Sequence, residues 1–566
     1  MRTHYPRTRH LPWSPGATPD DLRVTDLSGL RGREVVVTEK LDGENTTLYA
    51  DGLHARSLDS AHHPSRAWVK ALQGRIGHAI PEGWRVCGEN MYAWHSIAYE
   101  DLESWFYGFS VWDADGRCLD WDRTVAYLHG LGVPVPRVLW RGVFDERALR
   151  ALRLDLGRQE GYVVRAADAF GAEEFGQRVA KWVRAGHVRT DTHWMHTAVV
   201  ENGLGRGAAL WAVRSGAAVD AEALLLAVGL GGEGDPGAAA RLDPADRLGD
   251  DRLDGVLAAL LHGGRRARLA ARLAGVAGMP LARRVADLVG LHPALHRPYP
   301  DEDRRAGLVR LSYAADLGVL HAVARATADT DEAREQVEWS ALHAEDIEGP
   351  KEVGQGEAGQ PGLGEAGLRE AFAGLPDDAA LRCRAEAREA YARGRIHGLD
   401  EAVAATWRWR SNAFPKLIQM AGPAGSGKST FARGLPGVDA YISLDDLRAA
   451  RGSRADQRAN GDVLREGLDR LDTALAAGGT VVWDATSLNK QQRSLVHAIG
   501  HRHDALITHA VVLVDEDELV RRNARREHPV PPEVLTAQLR RFGPPYPGDA
   551  HRTWYIGASG TVEEEI

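Results

Sequence analysis

Residues 416–430 read KLIQMAGPAGSGKST, a short apolar run that passes directly into a glycine-rich loop. The apolar run has the length and composition of a buried strand. Glycines let backbone N–H groups wrap around a phosphate, and the helix expected next presents its positive end to the same anion. The positions of Gly422, Gly427, Lys428 and Ser429 match the spacing of a phosphate-binding loop, or P-loop. We therefore predict a nucleoside triphosphate site in this part of the chain.

The P-loop assigns different tasks to its side chains. Lys428 is expected to reach the β- and γ-phosphates, and Ser429 is expected to bind Mg²⁺. The other loop residues expected to contact the nucleotide are Gly422, Gly425, Gly427 and Thr430. Strand and helix patterns alternate after the loop, which predicts a parallel sheet with helices on both faces. A P-loop identifies the nucleotide but leaves the second substrate open.

A second informative stretch is EKLDGEN, residues 39–45, which follows the apolar residues 35–37. A lysine placed directly after a buried strand becomes a nucleophile when its surroundings lower its pKa or a metal helps to remove its proton. Asp-Gly is a turn sequence, so residues 46–50 are expected to form the hairpin partner of the Lys40 strand. The alternative interpretation is an ordinary surface hairpin with no chemical role.

Five further fragments follow EKLDGEN and decide between these interpretations. They are RS at residues 56–57, GEN at 88–90, FYGFSV at 106–111, EGYVVR at 160–165 and VAKWVR at 179–184. In order and in spacing, the six fragments resemble the nucleotidyltransferase motifs of the ATP-dependent RNA ligases. The resemblance covers about residues 1–200 and implies a domain built on antiparallel sheets.

The resemblance implies a role for each matched residue. Lys40 would attack the α-phosphate of ATP and carry AMP, with Glu89 binding the ribose and Glu160 helping to bind the metal. Lys181 would contact phosphate. An aromatic side chain of the 106–111 strand would stack on adenine. The further nucleotide-binding residues are expected to be Glu39, Asp42, Gly43, Arg56, Tyr107, Phe109 and Arg184.

Two points in this set stay open. The family usually has a second lysine two residues after Lys181, and this chain has Val183 there. Arg184 is the candidate replacement, although neighbouring residues on a strand face opposite sides. On a regular strand Tyr107 and Phe109 would share one face, so the sequence leaves the stacking ring undecided.

Two stretches after the P-loop carry substrate information. SLDDLR at residues 443–448 resembles the Asp-x-x-Arg element of 5′-hydroxyl polynucleotide kinases. The resemblance implies that Asp445 is the general base on the 5′-hydroxyl and that Arg448 contacts phosphate; the alternative is that the aspartates only cap a helix. RRNARR at 521–526 resembles an arginine-bearing lid over ATP. Arg522 and Arg526 are predicted to share a helical face, the alternative being a solvated basic face.

The middle of the chain carries weaker signals. Apolar residues at helical spacing predict an all-helical domain over 201–345, with a helix spanning 308–324. LLHGG at 260–264 and LHPALH at 291–296 invite comparison with HD-type phosphohydrolases, but the aspartate that should follow His262 is a glycine. His262, His292, His296 and Asp316 are candidate remnants of such a site. We favour a connecting domain and predict no metal site here.

Composition divides the rest. We predict a ligase-like domain over 1–200, the helical domain over 201–345, a flexible linker over 346–368, a helical connector over 369–411 and a kinase-like domain over 412–566. The linker is rich in Gly, Glu, Gln and Pro. In the connector, WRWR at 407–410 is expected to pack a helix, although stacking on bases is the alternative. The final residues are expected to fray.

Whole-chain properties limit the class of protein. The formal net charge of −9 over 566 residues shows that the whole molecule is not a polycation, so nucleic-acid binding must use local basic surfaces. The three cysteines lie far apart, which is typical of a reducing cytoplasm. No signal peptide or membrane span is expected.

These observations predict a cytoplasmic, bifunctional RNA end-repair enzyme. It would phosphorylate 5′-hydroxyl ends and seal the 5′-phosphate to a 3′-hydroxyl through lysyl-AMP and adenylated RNA, using ATP and Mg²⁺, with Mn²⁺ as an alternative. Two other functions stay open. One is a P-loop kinase with an inactive ligase fold that serves as an RNA-binding scaffold, and the other is a P-loop kinase of a small metabolite.

Overall fold

The structure is a computed structural model of the chain, and it describes residues 2–58, 62–186, 198–242, 247–298, 301–348, 364–451, 460–526 and 529–566. These residues form two compact units, 1–232 with 244–256 and 233–243 with 257–566. This division is coarser than the five segments predicted from the sequence, whose boundaries stay predictions. Residues 349–363 of the predicted linker lie outside the described residues.

The first unit contains two β-sheets. The five-stranded sheet has the order β1-β11-β9-β2-β8 and the six-stranded sheet the order β10-β7-β6-β5-β3-β4. Neighbours pair antiparallel, apart from the parallel pair β1–β11, which confirms the predicted antiparallel fold. The strands are β1 (Arg9–His10), β2 (Glu34–Lys40), β3 (Glu44–Tyr49), β4 (Gly52–Ala55), β5 (Arg85–Asn90), β6 (Phe106–Trp112), β7 (Arg117–Cys118), β8 (Val138–Val143), β9 (Gly161–Ala166), β10 (Phe170–Gly171) and β11 (Val179–Val183).

The first unit also contains short helices. They are α1 (Ala67–Ile76), α2 (Trp121–Gly130), α3 (Glu146–Arg150), α4 (Phe175–Arg178), α5 (Ala208–Arg214) and α6 (Ala221–Ala227). Asp120 is the N-cap of α2, and its carboxylate accepts a hydrogen bond from the backbone N–H of Arg123 at 2.8 Å. Leu128 of α2 then lies directly over Gly108 of β6, where a Cβ atom would come within 2.5 Å of it. The glycine therefore allows the helix to pack closely on the sheet.

The turn after Lys40 carries the chain from one sheet to the other. β2 pairs with β8 and β9, whereas β3 pairs with β4 and β5. The prediction that residues 46–50 form the hairpin partner of the Lys40 strand is therefore wrong. Gly43 lies at the crossing, and a Cβ atom there would stand 2.5 Å from the carbonyl oxygen of Asn90. This crossing places the end of β2 between the two sheets.

The described residues between 236 and 405 are mainly helical, which confirms the all-helical central region. The predicted helix over 308–324 is interrupted between Ser312 and Leu317, where Asp316 caps the second helix by accepting from the N–H of Val319 at 2.8 Å. The helices are α7 (Pro236–Arg241), α8 (Gly249–Leu260), α9 (Arg266–Ala277), α10 (Met279–Leu295), α11 (Asp301–Ser312), α12 (Leu317–Thr327), α13 (Asp331–Glu348), α14 (Glu365–Ala371), α15 (Asp377–Ala392) and α16 (Leu399–Ala405).

A sheet of order β13-β14-β12-β15-β16-β17 follows. All neighbours pair parallel except β16 and β17, so the predicted parallel sheet is confirmed. Its strands are β12 (Lys416–Ala421), β13 (Ala440–Ser443), β14 (Thr480–Asp484), β15 (Leu506–Val512), β16 (Arg552–Ile556) and β17 (Val562–Glu565). Its helices are α17 (Lys428–Arg433), α18 (Leu444–Ala450), α19 (Asn460–Ala476), α20 (Lys490–Arg502), α21 (Glu516–Ala524) and α22 (Pro532–Arg541).

The last residues of the chain belong to this sheet. β17 pairs antiparallel with β16, and Glu564 accepts a hydrogen bond from Nε of Arg283 at 2.9 Å. The expectation of a frayed tail is therefore wrong. The acidic run of the tail suggested solvation, but it provides partners for a sheet edge and for an arginine of the helical region.

Candidate active sites

A cavity of about 630 Å³ lies between the two sheets of the first unit. The five-stranded sheet contributes Lys40 and Lys181, and the six-stranded sheet contributes Glu89 and Phe109. The predicted residues Glu39, Gly43 and Arg56 also line this cavity. The structure thus brings most of the ligase-like set into one place, although the residues are spread over the first 181 positions of the chain.

Lys40 is held as an ammonium ion inside this cavity. Its Nζ lies 2.5 Å from Oε2 of Glu160, which is itself buried. Burial works against the charge of Lys40, but Glu160, followed by Glu89, outweighs burial and raises the pKa of the ammonium above its ordinary value. An attack by this amine therefore requires a change in its surroundings that releases the proton.

Burial shifts the pKa values of the neighbouring Glu89 and Lys181 toward their neutral forms. Burial raises the pKa of Glu89 to about 7, while the ammonium of Lys40 opposes that rise. Glu89 also accepts a hydrogen bond from the backbone N–H of Gly43 at 3.3 Å. Burial, followed by the charge of Lys40, lowers the pKa of Lys181. The cavity therefore contains both carboxylates and ammonium groups, and a bound polyanion and metal ion would change their pKa values.

Asp42 serves the site without lining the cavity. Its Oδ2 accepts hydrogen bonds from the backbone N–H groups of Ser96 and Ile97 at 2.8 and 3.0 Å. That Asp42 contacts the nucleotide stays a prediction, and in the structure its carboxylate anchors the loop at Ser96 and Ile97. The loop that it anchors places His95 among the cavity-lining residues. No sequence pattern indicated His95, because its loop is held by a residue that lies 53 positions earlier.

The 106–111 strand is irregular at Phe109, one of the two candidate rings for stacking on adenine. Gly108 pairs with Gly88 and Ser110 with Cys87, so Phe109 is an extra residue at a bulge. Phe109 lines the cavity, whereas Tyr107 packs with a separate apolar cluster around Leu41. The prediction that Tyr107 and Phe109 share one face is therefore wrong, because a bulge breaks the two-residue alternation.

Arg184 is buried, and it lies outside the residues that line the cavity. Its backbone N–H donates to the carbonyl oxygen of Glu160 at 3.0 Å. That Arg184 takes the role of the lysine absent at position 183 stays a prediction. Glu160 does not line the cavity either, and it contacts the cavity residue Lys40 through their ion pair.

The N-terminal segment supplies cavity residues that the sequence did not indicate. Tyr5, Pro6, Arg7 and Thr8 line the cavity, and the lead-in segment carries no recognisable motif. Arg66, another lining residue, is paired with Glu44 of the Lys40 motif through hydrogen bonds of 2.5 and 2.8 Å. Only the three-dimensional structure connects these segments with Lys40.

A second cleft, of about 600 Å³, lies beside the P-loop. The loop residues Gly425, Gly427 and Thr430 line it. Gly422, Gly425 and Gly427 have φ values of 156°, 84° and 95°, which L side chains adopt rarely, so the loop conformation depends on these glycines. Burial lowers the pKa of Lys428, and Asp484 and Asp445 oppose that effect.

Asp484 is a functional candidate that the site predictions missed. It ends β14, beside Ser443 at the end of β13. The hydroxyl of Tyr441 donates to its Oδ2, and its buried Oδ1 has no hydrogen-bond partner among the described residues. Asp484 acts on the charge of Lys428 of the P-loop, and a carboxylate oxygen is the kind of ligand that Mg²⁺ prefers. Asp484 is therefore a candidate magnesium ligand.

Asp445 and Arg448 lie together on α18, with Nη1 of Arg448 2.5 Å from Oδ1 of Asp445. The helix is capped by Ser443, whose hydroxyl accepts from the N–H of Asp446 at 3.3 Å. Ser443 thus supplies the cap that the alternative interpretation assigned to the aspartates. The carboxylate of Asp445 stays largely exposed and accessible to an acceptor.

The lid-like stretch places only one of its two predicted arginines at the cleft. Arg522 lines the cleft and donates to the carbonyl oxygens of Ser426 at 3.4 Å and Ala558 at 2.8 Å. α21 ends at Ala524, so Arg526 lies beyond the helix and the predicted shared helical face is wrong. The turn 558–560, between β16 and β17, also lines the cleft.

The histidines of the helical region pack against one another. The rings of His262 and His292 are 6.1 Å apart, those of His292 and His296 are 5.6 Å apart, and His262 lies 3.3 Å from Asp235. Asp316 caps α12 instead. Among the described residues, no group of three or more His, Cys, Asp or Glu side chains is arranged to hold a metal ion.

The two tryptophans of the WRWR stretch differ. Trp409 is buried and packs against Arg382, whereas 75% of Trp407 is exposed.

Across the described parts of the chain, no helix combines the length and apolarity that crossing a membrane requires.

Comparison with known proteins finds matches for two stretches of the chain. Residues 33–183 match the family model of RNA ligases, and residues 417–545 match that of an AAA domain. No curated protein matches the chain. The similar solved structures include a Pnkp1/Rnl/Hen1 RNA repair complex, with 23% identity over 22% of this chain and 44% of the other and a TM-score of 0.20.

Two further solved structures are RNA ligases. An archaeal ATP-dependent RNA ligase is 17% identical over 32% of this chain and 48% of its own, with a TM-score of 0.23. An RNA ligase of Naegleria gruberi is 21% identical over 28% of this chain and 51% of its own, with a TM-score of 0.22. The chain thus spans about half the length of the solved structures that it matches. It carries an RNA ligase domain toward its N-terminus and a P-loop domain of the AAA type toward its C-terminus.

Proposed function

We propose that this protein repairs broken RNA, with a kinase site that phosphorylates 5′-hydroxyl ends and a ligase site that seals them to 3′-hydroxyl ends. We assign the ligase site to the domain over residues 1–200 and the kinase site to the domain over 412–566. The observation that carries the proposal is the pair of partly buried Lys40 and buried Glu160, 2.5 Å apart, at a cavity between two sheets.

In the ligase site, Nζ of Lys40 attacks the α-phosphorus of ATP, forming a nitrogen–phosphorus bond as the bond to pyrophosphate breaks. Lys40 must first give up a proton, and the carboxylate of Glu160 is within hydrogen-bond distance to accept it. Lys181 and Arg56 line the same cavity and would neutralise the triphosphate. A bound Mg²⁺ or Mn²⁺, held by carboxylates such as Glu160, would supply further positive charge.

Two transfers complete the sealing reaction. The AMP passes from Lys40 to the 5′-phosphate of the RNA, which forms a phosphoanhydride and frees the amine. The 3′-hydroxyl of the other RNA end then attacks that 5′-phosphate, a phosphodiester forms and AMP leaves. The carboxylates around the freed Lys40 favour its protonated state again, against the effect of burial.

In the kinase site, Asp445 would take the proton of the 5′-hydroxyl while that oxygen attacks the γ-phosphorus of ATP and ADP leaves. Asp445 suits this role because its carboxylate is exposed and is oriented by Arg448. Lys428 of the P-loop and Arg522 beside the loop would stabilise the charge on the phosphates. Ser429 and Asp484 would hold Mg²⁺, which would supply further positive charge to the phosphates.

Labelled ATP tests the two sites separately. With α-labelled ATP, label should become fixed to the wild-type protein and not to Lys40→Ala. With γ-labelled ATP and a 5′-hydroxyl RNA strand, label should appear on the RNA with wild type and with Lys40→Ala, and not with Lys428→Ala. Loss of both activities in either variant, with the fold intact, would contradict the two-site proposal.

A second candidate function is favoured by Val183. This residue stands where the ligase family usually has a lysine, and Arg184 does not line the cavity. In that case the ligase fold would bind RNA without sealing it, and the P-loop domain would be a kinase of RNA or of a small metabolite. Transfer of γ-label to RNA without label on the protein supports this function, and comparing RNA with nucleosides and sugars identifies the acceptor.

A further inference from the structure

The segment 2–8, which we call the N-terminal strap, connects the two sheets of the first unit along the ligase cavity. At one end Arg2 lies over the ring of Tyr49 at 4.4 Å, and the N–H of Thr3 donates to the hydroxyl of Tyr49 at 3.0 Å. At the other end the strap leads into β1, which pairs with β11 of the other sheet. The strap is therefore held on both sides of the cavity.

Tyr5 is the central contact of the strap. Its ring meets the ring of Phe109 edge-on, with centroids 5.2 Å apart and an interplanar angle of 67°. It meets Phe175 in the same way, at 5.2 Å and 85°. Such edge-to-face pairs fix the planes of both rings. Phe109 stands at a bulge, where the ladder of the sheet does not hold it, so Tyr5 supplies the restraint that the strand lacks.

The cavity has an apolar side and a charged side. Tyr5, Phe109 and Val163 pack against one hydrophobic cluster that includes Val179, and all four line the cavity. Lys181 pairs in register with Val163 and introduces the charged part of the lining. A nucleotide needs an apolar slot for its base and cations for its phosphates, and this cavity offers both.

We propose that the N-terminal strap is part of the nucleotide site of the ligase domain, and that Tyr5 is a positioning residue that holds Phe109 in place for stacking on a purine base. The inference rests on the proposed ligase function, because it explains how the same cavity selects its nucleotide. Tyr5 acts through the ring of Phe109 and needs no contact with the reacting phosphate. This role belongs to its aromatic ring, whereas its hydroxyl is hydrogen-bonded with Ser110.

Equilibrium binding tests the inference without requiring catalysis. The probe is an ATP analogue with a methylene group between its α- and β-phosphorus atoms, and the protein is the full chain with Lys428→Ala, so that the P-loop site is silent. Tyr5→Ala should weaken binding about tenfold, the loss expected from an edge-to-face aromatic contact. Tyr5→Phe should bind within about twofold of the parent chain.

Two more variants separate positioning from folding. Tyr5→Leu keeps apolar bulk in the cluster, so it should fold as the parent does and still weaken binding. Arg141→Ala removes an exposed ion pair with Asp122, outside both the strap and the residues that line the cavity, and should leave binding unchanged. The same variants are compared with the matching GTP analogue, because a fixed Phe109 should discriminate between purines more strongly than a mobile one.

The outcomes are distinct for the two claims. Weaker binding by Tyr5→Ala and Tyr5→Leu, with Tyr5→Phe and Arg141→Ala unchanged, supports the inference whether or not Lys40 becomes adenylated. Parent-like binding by Tyr5→Leu, or no binding by the parent chain, overturns it. Failure of the proposed ligase function appears separately, as absence of label on Lys40 from α-labelled ATP.

Discussion

Asp42 offers the sharpest test of how the ligase cavity is built, because its role in the structure differs from the role that its motif implies. Its carboxylate accepts two backbone hydrogen bonds, from Ser96 at 2.8 Å and from Ile97 at 3.0 Å. The side chain is buried, with 7% of the residue exposed. Replacing Asp42 by alanine therefore removes the anchor of the loop that carries His95.

The expected magnitude follows from the two lost contacts. A hydrogen bond to a charged group contributes about 1.5–3 kcal/mol, and the two N–H groups regain part of this by meeting water once the loop is released. We expect Asp42→Ala to lower the free energy of unfolding of the first unit by about 3 kcal/mol. For a unit of this size that corresponds to a fall in Tm of about 6–12 °C.

Thermal unfolding followed by calorimetry or circular dichroism measures the change, with protein adenylation as the second readout. Asp122→Ala is the matched control, because Asp122 is an exposed carboxylate paired with Arg141 on the surface, and such pairs contribute about 0–1 kcal/mol. Asp42→Ala should lose both stability and adenylation. A variant with wild-type stability that loses only its affinity for ATP would refute the positioning role.

Three further predictions follow from the electrostatics of the two units. Adenylation by wild type should rise with pH between about pH 6 and 9, because Glu160 holds the pKa of Lys40 high and only the neutral amine attacks; Glu160→Gln should flatten that rise in initial rates of label incorporation. Asp484→Asn should lower RNA phosphorylation by about a hundredfold or more through loss of a metal ligand, with protein adenylation unchanged as the internal control. Glu564→Ala should leave Arg283 without one of its two carboxylate partners and lower the free energy of unfolding of the second unit by about 3 kcal/mol, measured by urea denaturation, and an unchanged midpoint would contradict an ordered tail.

The elements that the sequence predicted well are those in which local spacing carries the chemistry. The P-loop needs its glycines, lysine and serine at fixed intervals, and the loop from Gly422 to Thr430 follows the strand β12 as expected. Lys40 was also found from local pattern, because it is the last residue of a buried strand and lies at the cavity where that strand ends. The composition of β12 and of the helical region was also sufficient to assign their classes.

The errors arose where tertiary contacts override local pattern. A bulge at Phe109 cannot be seen in the alternation of FYGFSV, since it depends on the partner strand. The Asp-Gly turn suggested a hairpin of β2 and β3. Instead the chain crosses to the other sheet, because β2 pairs with β9 in one sheet and β3 pairs with β5 in the other. Tyr5 and His95 reach the cavity through segments far from Lys40, and no spacing rule connects them.

The most direct measurement for the central claim is the mass of the Lys40 peptide after incubation of the full chain with ATP and Mg²⁺. The account predicts one added AMP on the peptide that contains Lys40, released by pyrophosphate and absent from Lys40→Ala. A peptide that stays unmodified at every pH, in a chain that still phosphorylates RNA, would contradict a working ligase site and leave a kinase with a silent ligase fold.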